Sequence, residues 1–316
     1  MDVILHLGAH RCASTSFQAY LRANAARLAV QGIGVWGPLR TRKGLFTGII
    51  PADRGQTETR QFRQAAGRIA LARERAARAG LRHLVVSDEN ILGAPRRNLR
   101  STQLYAEAGM RLSRHVMAFG GDVARVVLSI RSPELYWASS FAFAVARGHP
   151  MPDAGRLAAI AGDARGWREV IEDIARAAPR AEVLVMTHEE LGGLPERRLW
   201  HMTGERATPP LDHAREWLNR SPDLATLRKV LAERGEDPGL LPEGEGRWMP
   251  FDRPQQAALR ERYSDDLFWL SAGAGGLAML VRERGRLAGQ VGSHPPQAME
   301  RGHPDDEDKG RLVENR

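Results

Sequence analysis

Residues 4–18, ILHLGAHRCASTSFQ, set the end of an apolar run against a turn of small residues and the start of a helix. After a buried strand, such a turn gathers unpaired backbone N–H groups and the positive end of the helix dipole about one point. That is an anion site by geometry. Ser14, Thr15 and Ser16 add hydroxyl donors there. Set on the nucleotide-binding pattern G-x-x-x-x-G-K-[ST], Gly8 takes the first glycine, Ala13 the second, Ser14 the lysine and Thr15 the hydroxyl position. The lysine that reaches terminal phosphates is therefore missing, and the cation of the loop is Arg11, three residues earlier. Metal-dependent NTP chemistry is disfavoured, whereas a phosphate-like group held by N–H groups, hydroxyls and one arginine is allowed. Taken alone, the stretch also fits an ordinary strand-to-helix turn capped by Ser14.

Working outward, short apolar strands alternate with amphipathic helices. The strands expected at 3–7, 84–87, 126–130 and 183–186 are β-branched-rich and do not alternate in polarity, as parallel strands buried on both faces should not. Helical spacing recurs at Phe17, Leu21, Ala25 and Leu28, at Phe62, Ala66, Ile69 and Ala76, and at Leu104, Ala108, Leu112 and Phe119, the last opened by Ser101. Ser132-Pro133 opens another helix, and Trp167, Ile171, Ile174 and Ala178 mark a fifth, closed by Pro179. This rhythm predicts an α/β three-layer sandwich with a central, mainly parallel sheet. One domain is expected over residues 1–283, mainly helical from about 195, followed by a polar, disordered tail over 284–316. Residues 37–57, with four glycines and two prolines, are too long for a connector and suit a lid or acceptor-binding loop.

Composition narrows the function. The net charge of +8 could mark nucleic acid, an anionic surface or an anionic cofactor, but 43 of the 46 basic residues are arginines scattered among alanines and glycines. Aromatics total 6%, so a base-stacking surface has little support and no nucleic-acid partner is expected. No apolar run approaches the ~20 residues of a membrane span, and the N-terminus lacks a leader pattern, so a cytoplasmic location is expected. The single Cys12 excludes a disulfide framework and fits a small loop residue better than a nucleophile. His6 and His10 lack further ligand partners and do not make a metal site.

The opening stretch resembles the 5′-phosphosulfate loop of sulfotransferases that use PAPS, 3′-phosphoadenosine 5′-phosphosulfate. The likeness is strongest to bacterial and carbohydrate-type members whose N-terminus reads like hIGxHKTGTTSLQ. Arg11 stands where that family has its loop lysine, Ala13 where it has a glycine, and Ser14, Thr15 and Ser16 where it has its hydroxyl residues. Arginine is bulkier and binds as a planar fork, and Ala13 would narrow the turn. A second likeness is VVLSIRSPELYWASS, similar to the family's 3′-phosphate motif, an arginine at a strand end and a serine eight residues on: Arg131 and Ser139. Arg131 should leave the carboxyl end of a buried strand with Ser139 two turns into the following helix, so that both point into one crevice. Third, HLVVSDENIL resembles the family's SSEN segment, which implies Glu89 as the general base, with Asp88 as its neighbouring competitor. The C-terminal donor segment of aryl members has no match beyond GEGRWMP, with Arg247.

The resemblance implies a P-loop NTPase-like sulfotransferase fold and transfer of a sulfuryl group from PAPS to an acceptor hydroxyl on a saccharide, lipid or small metabolite. It implies Glu89 and Arg11 as catalytic residues, a donor site of His10, Arg11, Cys12, Ala13, Ser14, Thr15, Ser16, Arg131 and Ser139, and no metal. A P-loop kinase-like phosphotransferase and a non-catalytic PAPS-binding relative stay open beside it.

Overall fold

The computed structural model describes residues 1–51, 56–162, 165–205 and 207–283; the side chains of residues 56–58 are left aside. The tail expected over 284–316 lies outside the described residues. Six strands form one parallel sheet in the order β2-β3-β1-β4-β5-β6. They are β1 (Asp2–His6), β2 (Ile33–Trp36), β3 (His83–Ser87), β4 (Arg125–Ile130), β5 (Glu182–Thr187) and β6 (Met279–Leu280).

Alternation of side chains within each strand builds a core on both sheet faces. Val3 and Leu5 of β1, Leu84 and Val86 of β3 and Val126 and Leu128 of β4 face one side. There they pack against Ile69, Leu112, Ile171 and Leu259, drawn from the helices Gln56–Arg78, Ala108–Ala118, Trp167–Ala177 and Arg253–Ser271. Ile4, Val85, Val127 and Leu184 face the other, against Phe17, Tyr20 and Leu21 of α1 (Ser14–Ala23) and Leu199 of the helix Pro195–Met202. Helix, sheet, helix is the three-layer arrangement that the rhythm of the sequence predicts.

Four expectations need correction. β2 was not foreseen, because Gly32 and Gly34 interrupt its apolar run; a Cβ on Gly34 would stand 2.6 Å from Leu81 Cδ1, so the strand needs the gap to pack. The first helical stretch is two helices, α1 and Ala25–Val30, which meet at Asn24. Ser101 does not open the third helix: it ends a short helix, Pro95–Ser101, and the longer one begins at Ala108 after Glu107. Finally, the mainly helical C-terminal part returns a short strand, β6, to the sheet edge beside β5.

The strand order places β1 between β3 and β4, so the chain leaves β1 toward one side and later crosses to the other. Beyond the carboxyl ends of strands at such a switch point, the flanking connections diverge and leave a crevice. His6, Asp88, Arg131 and His188 all lie at or just past strand ends there. An aromatic pile holds this end: Tyr136 stands edge-on to both Trp137 and Trp167, and Trp167 Nε1 donates to the Arg131 carbonyl at 2.7 Å. Trp167→Phe keeps most of the packing but leaves that buried carbonyl unpaired, which should cost about 1–3 kcal/mol in urea unfolding. An unchanged midpoint and slope would show that the bond does not hold the turn after β4.

Candidate functional site

A cleft of about 800 Å³ opens at the switch point, lined by the loop after β1, the ends of β3 and β4, the helix Pro133–Val145 and the segment 217–223. The loop enters through Gly8 at φ +41°, where a Cβ would stand 2.6 Å from His6 Cε1. Arg11 (φ 64°) and Ala13 (φ 59°) are also left-handed. Non-glycine residues occupy this region at a cost of about 1–2 kcal/mol each. The strain coils the chain so that Ala13 precedes α1 without a side-chain cap. Among the described residues, nothing accepts the backbone N–H of Ala13, Ser14, Thr15 or Ser16. Ser14 is not the cap: it is the first helical residue, and its buried hydroxyl donates to the carbonyls of Gly8 (3.0 Å) and Ala9 (3.2 Å), tying the coil together.

Most of the residues singled out in the sequence meet at this cleft: His10, Arg11, Ala13, Ser14, Thr15, Glu89, Arg131 and Ser139 all line it. Two do not. The Cys12 side chain is fully buried in the core, and burial pushes its thiol up to about 12, so its sulfur faces no ligand. Ser16 is turned aside, accepting from the Leu218 N–H at 2.8 Å.

Arg131 and Ser139 do share one crevice. Arg131 is buried, its Nη1 donates to the Arg11 carbonyl at 3.1 Å, and its Nε has no partner. The Arg11 side chain crosses the cleft to Ser139 Oγ (2.9 Å), Ser221 Oγ (3.0 Å) and the Asn219 carbonyl (3.1 Å), with its guanidinium 4.6 Å from the Phe143 ring centre. Arg11 thus joins the loop to the Ser139 corner. Burial, with Arg131 and Arg147 nearby, lowers its pKa to about 10, so it remains a cation at neutral pH.

The two acidic candidates separate by geometry. Asp88 is buried and spent on structure, accepting from Thr41 Oγ1 (2.5 Å), Arg42 Nη2 (2.7 Å) and the Asn90 N–H (3.1 Å). Glu89 faces the cleft, with one carboxylate oxygen on Gln18 Nε2 (2.7 Å) and the other on Arg42 Nη2 (2.9 Å). Burial alone would raise its pKa, but His10, the Gln18 amide and Arg42 outweigh that and hold it below the ordinary value. His10 sits beside it: Nε2 donates to Asn90 Oδ1 (3.2 Å), which leaves Nδ1 to accept from the Tyr105 hydroxyl (2.9 Å). Burial lowers its pKa, so the ring is neutral at pH 7.

Compared with known proteins, the chain matches no family model, no curated protein and no solved structure.

Several lining residues carried no sequence signal. Arg42 belongs to the glycine- and proline-rich stretch expected to serve as a lid, but Thr41 and Arg42 clamp its start to Asp88. The segment 217–223 is polar and irregular, yet it lies against the loop through Leu218, Asn219 and Ser221. His188, at the end of β5, is lowered to about 3 by burial and by Arg131, Arg198, Arg247 and Arg11. Arg198 is buried beneath the loop and donates to the carbonyls of Cys12 (2.8 Å) and Leu191 (2.9 Å), with no carboxylate paired to it among the described residues. The cleft lining holds seven arginines against two acids, Glu89 and Asp223.

The loop strain gives a test that runs against the usual direction of mutation. Ala13→Gly removes the Cβ penalty at φ 59° and should raise unfolding stability by about 0.5–1 kcal/mol. A loss of stability in urea titration would mean that the left-handed turn is not strained.

Proposed function

We propose that this protein is a sulfotransferase that moves a sulfuryl group from PAPS to an acceptor hydroxyl. The observation that carries the reading is the meeting, in one cleft, of a strained loop whose N–H groups at residues 13–15 have no acceptor and the guanidinium of Arg131, which no carboxylate pairs among the described residues. Two anion-binding corners at the carboxyl end of a parallel sheet suit a nucleotide with phosphates at both ends. The free N–H groups of residues 13–16, Thr15 and Arg11 fit the 5′-phosphosulfate; Arg131 and Ser139 fit the 3′-phosphate. The sheet order, with β1 at the switch point, supports a P-loop-like topology for the domain.

PAPS supplies an activated sulfuryl group whose leaving group is already a phosphate anion. The residues of this chain supply the rest. Glu89, ionised and facing the cleft beside His10, accepts the acceptor's proton as the hydroxyl oxygen bonds to sulfur. The bond from sulfur to the bridging oxygen breaks, and that electron pair leaves with 3′,5′-ADP. Arg11 and the loop N–H groups stabilise the charge gathering on the departing phosphate, and the fixed loop holds it in line. A kinase-like reading would need a cation at the position of Ser14, whose hydroxyl is instead tied to Gly8 and Ala9.

The test is incubation with sulfur-labelled PAPS and an extract of the source cells, followed by isolation of the labelled product. Wild-type protein should transfer label, Glu89→Gln should slow transfer by about 10² to 10⁴, and Asp88→Asn, compared per folded molecule, should slow it far less. Because Glu89 must be ionised to accept the proton, and its pKa is held below the ordinary glutamate value, the acid limb of kcat/KM should fall below that value. A limb near neutrality would assign the base elsewhere. Phosphoryl transfer from ATP with Mg²⁺, and none of sulfur label from PAPS, would overturn the reading.

A further inference from the structure

The cleft does not end at Glu89. Arg96, Leu99, Ala144 and His149 line it and also line a second cavity of about 230 Å³, which continues outward to Arg100 and Arg156. The lining of this extension holds three arginines and no carboxylate. Leu99, Phe141, Ala144 and Pro150, with His149, form the rest of its wall.

An arginine-rich chain produces charged surface by chance, and arginines such as Arg22 and Arg180 are also unpaired among the described residues, so what sets this groove apart is that three arginines gather around one small cavity. Elsewhere Arg27, Arg73, Arg97, Arg125, Arg165 and Arg215 each form an ion pair with an acid. Arg97 finds Glu107, yet Arg96 beside it and Arg100 one turn on have no side-chain partner among the described residues, and neither has the guanidinium of Arg156. Three like charges at one groove repel one another, and an anion between them relieves that repulsion more than water and salt do. The donor phosphates already have their groups on the loop and at Arg131, so this charge is left for a different molecule.

We infer that the acceptor is itself an anion: its carboxylate or sulfate group lies in the groove of Arg96, Arg100 and Arg156, while its hydroxyl reaches Glu89. The inference rests on the proposed transfer reaction for the role of the bound molecule, but the groove's charge selectivity stands apart from it. A neutral acceptor would leave the three guanidiniums unpaired. An acidic one sets them against its own charge, with its uncharged body against Leu99 and Ala144.

Three probes separate the sources of the anion: tetragalacturonate for carboxylates, its methyl ester as the matched neutral molecule, and sulfated maltotetraose for sulfates. Each is titrated by calorimetry into wild-type protein and into the variant Arg96→Gln/Arg100→Gln/Arg156→Gln, with 3′,5′-ADP titrated separately into both. The wild type should bind at least one charged probe about tenfold or more tighter than the ester, with an affinity that falls with salt. The triple variant should lose that preference and keep its 3′,5′-ADP affinity. Arg100→Glu alone, at an exposed position, should weaken the charged probe and leave the ester unaffected. Equal binding of charged and neutral probes, no binding of either charged probe, or an unchanged preference in the triple variant would overturn the inference. Charge preference through these arginines without any 3′,5′-ADP binding would leave the groove standing and overturn the donor reading instead.

Discussion

The carboxyl end of this sheet carries positive charge that the fold does not neutralise. Arg131 and Arg198 are both buried, and among the described residues neither forms an ion pair with a carboxylate. Arg198 donates to the carbonyls of Leu191 and Cys12 but keeps an unpaired Nη1, and Arg131 keeps an unpaired Nε. Removing a guanidinium from water without a counter-charge is costly, and hydrogen bonds to carbonyls recover only part of that cost. On the proposed reading, an anion in the cleft supplies a counter-charge to Arg131. The same field reaches the neighbouring histidines: His6 and His188 are each lowered to about 3, by burial first and by nearby arginines next, so both stay neutral.

The loop is tied to one of these arginines. Cys12 anchors the middle of the coil in the core with its carbonyl on Arg198, while left-handed turns at Arg11 and Ala13 swing the flanking residues toward the cleft. With Cys12 pinned, Ala13, Ser14 and Thr15 line the cleft beside the cation of Arg11. Backbone strain, a buried cysteine and a buried arginine are parts of one device. The Arg11 contacts with Ser139, Asn219 and Ser221 carry it across to the opposite wall, so the loop and the Ser139 corner are mechanically joined.

The sheet was legible because parallel strands buried on both faces are continuous apolar runs, and four of the six satisfy that rule. β2 escaped because Gly32 and Gly34 break its run, and β6 because two residues at a sheet edge leave no pattern. The site was legible where chemistry is local, as in Arg131 with Ser139, or the loop at 8–16. It was hidden where partners are distant in the chain: Arg198 lies 186 residues from the carbonyl it supports, and Arg42 lies 46 from Asp88. Cys12 and Ser16 show the opposite limit, since a loop motif names positions, but only the coil of the backbone decides which side chains face out.

The central claim is that Arg131 answers a phosphate distinct from the one held by the loop. Calorimetric titration of wild type and Arg131→Ala with 3′,5′-ADP and with 5′-AMP tests it most directly, because the two nucleotides differ only in the 3′-phosphate. The account predicts that Arg131→Ala weakens 3′,5′-ADP by roughly 1.5 to 3 kcal/mol, about 10- to 150-fold, and leaves 5′-AMP nearly unchanged. Equal losses for both nucleotides, or wild-type protein that binds the two alike, would contradict it.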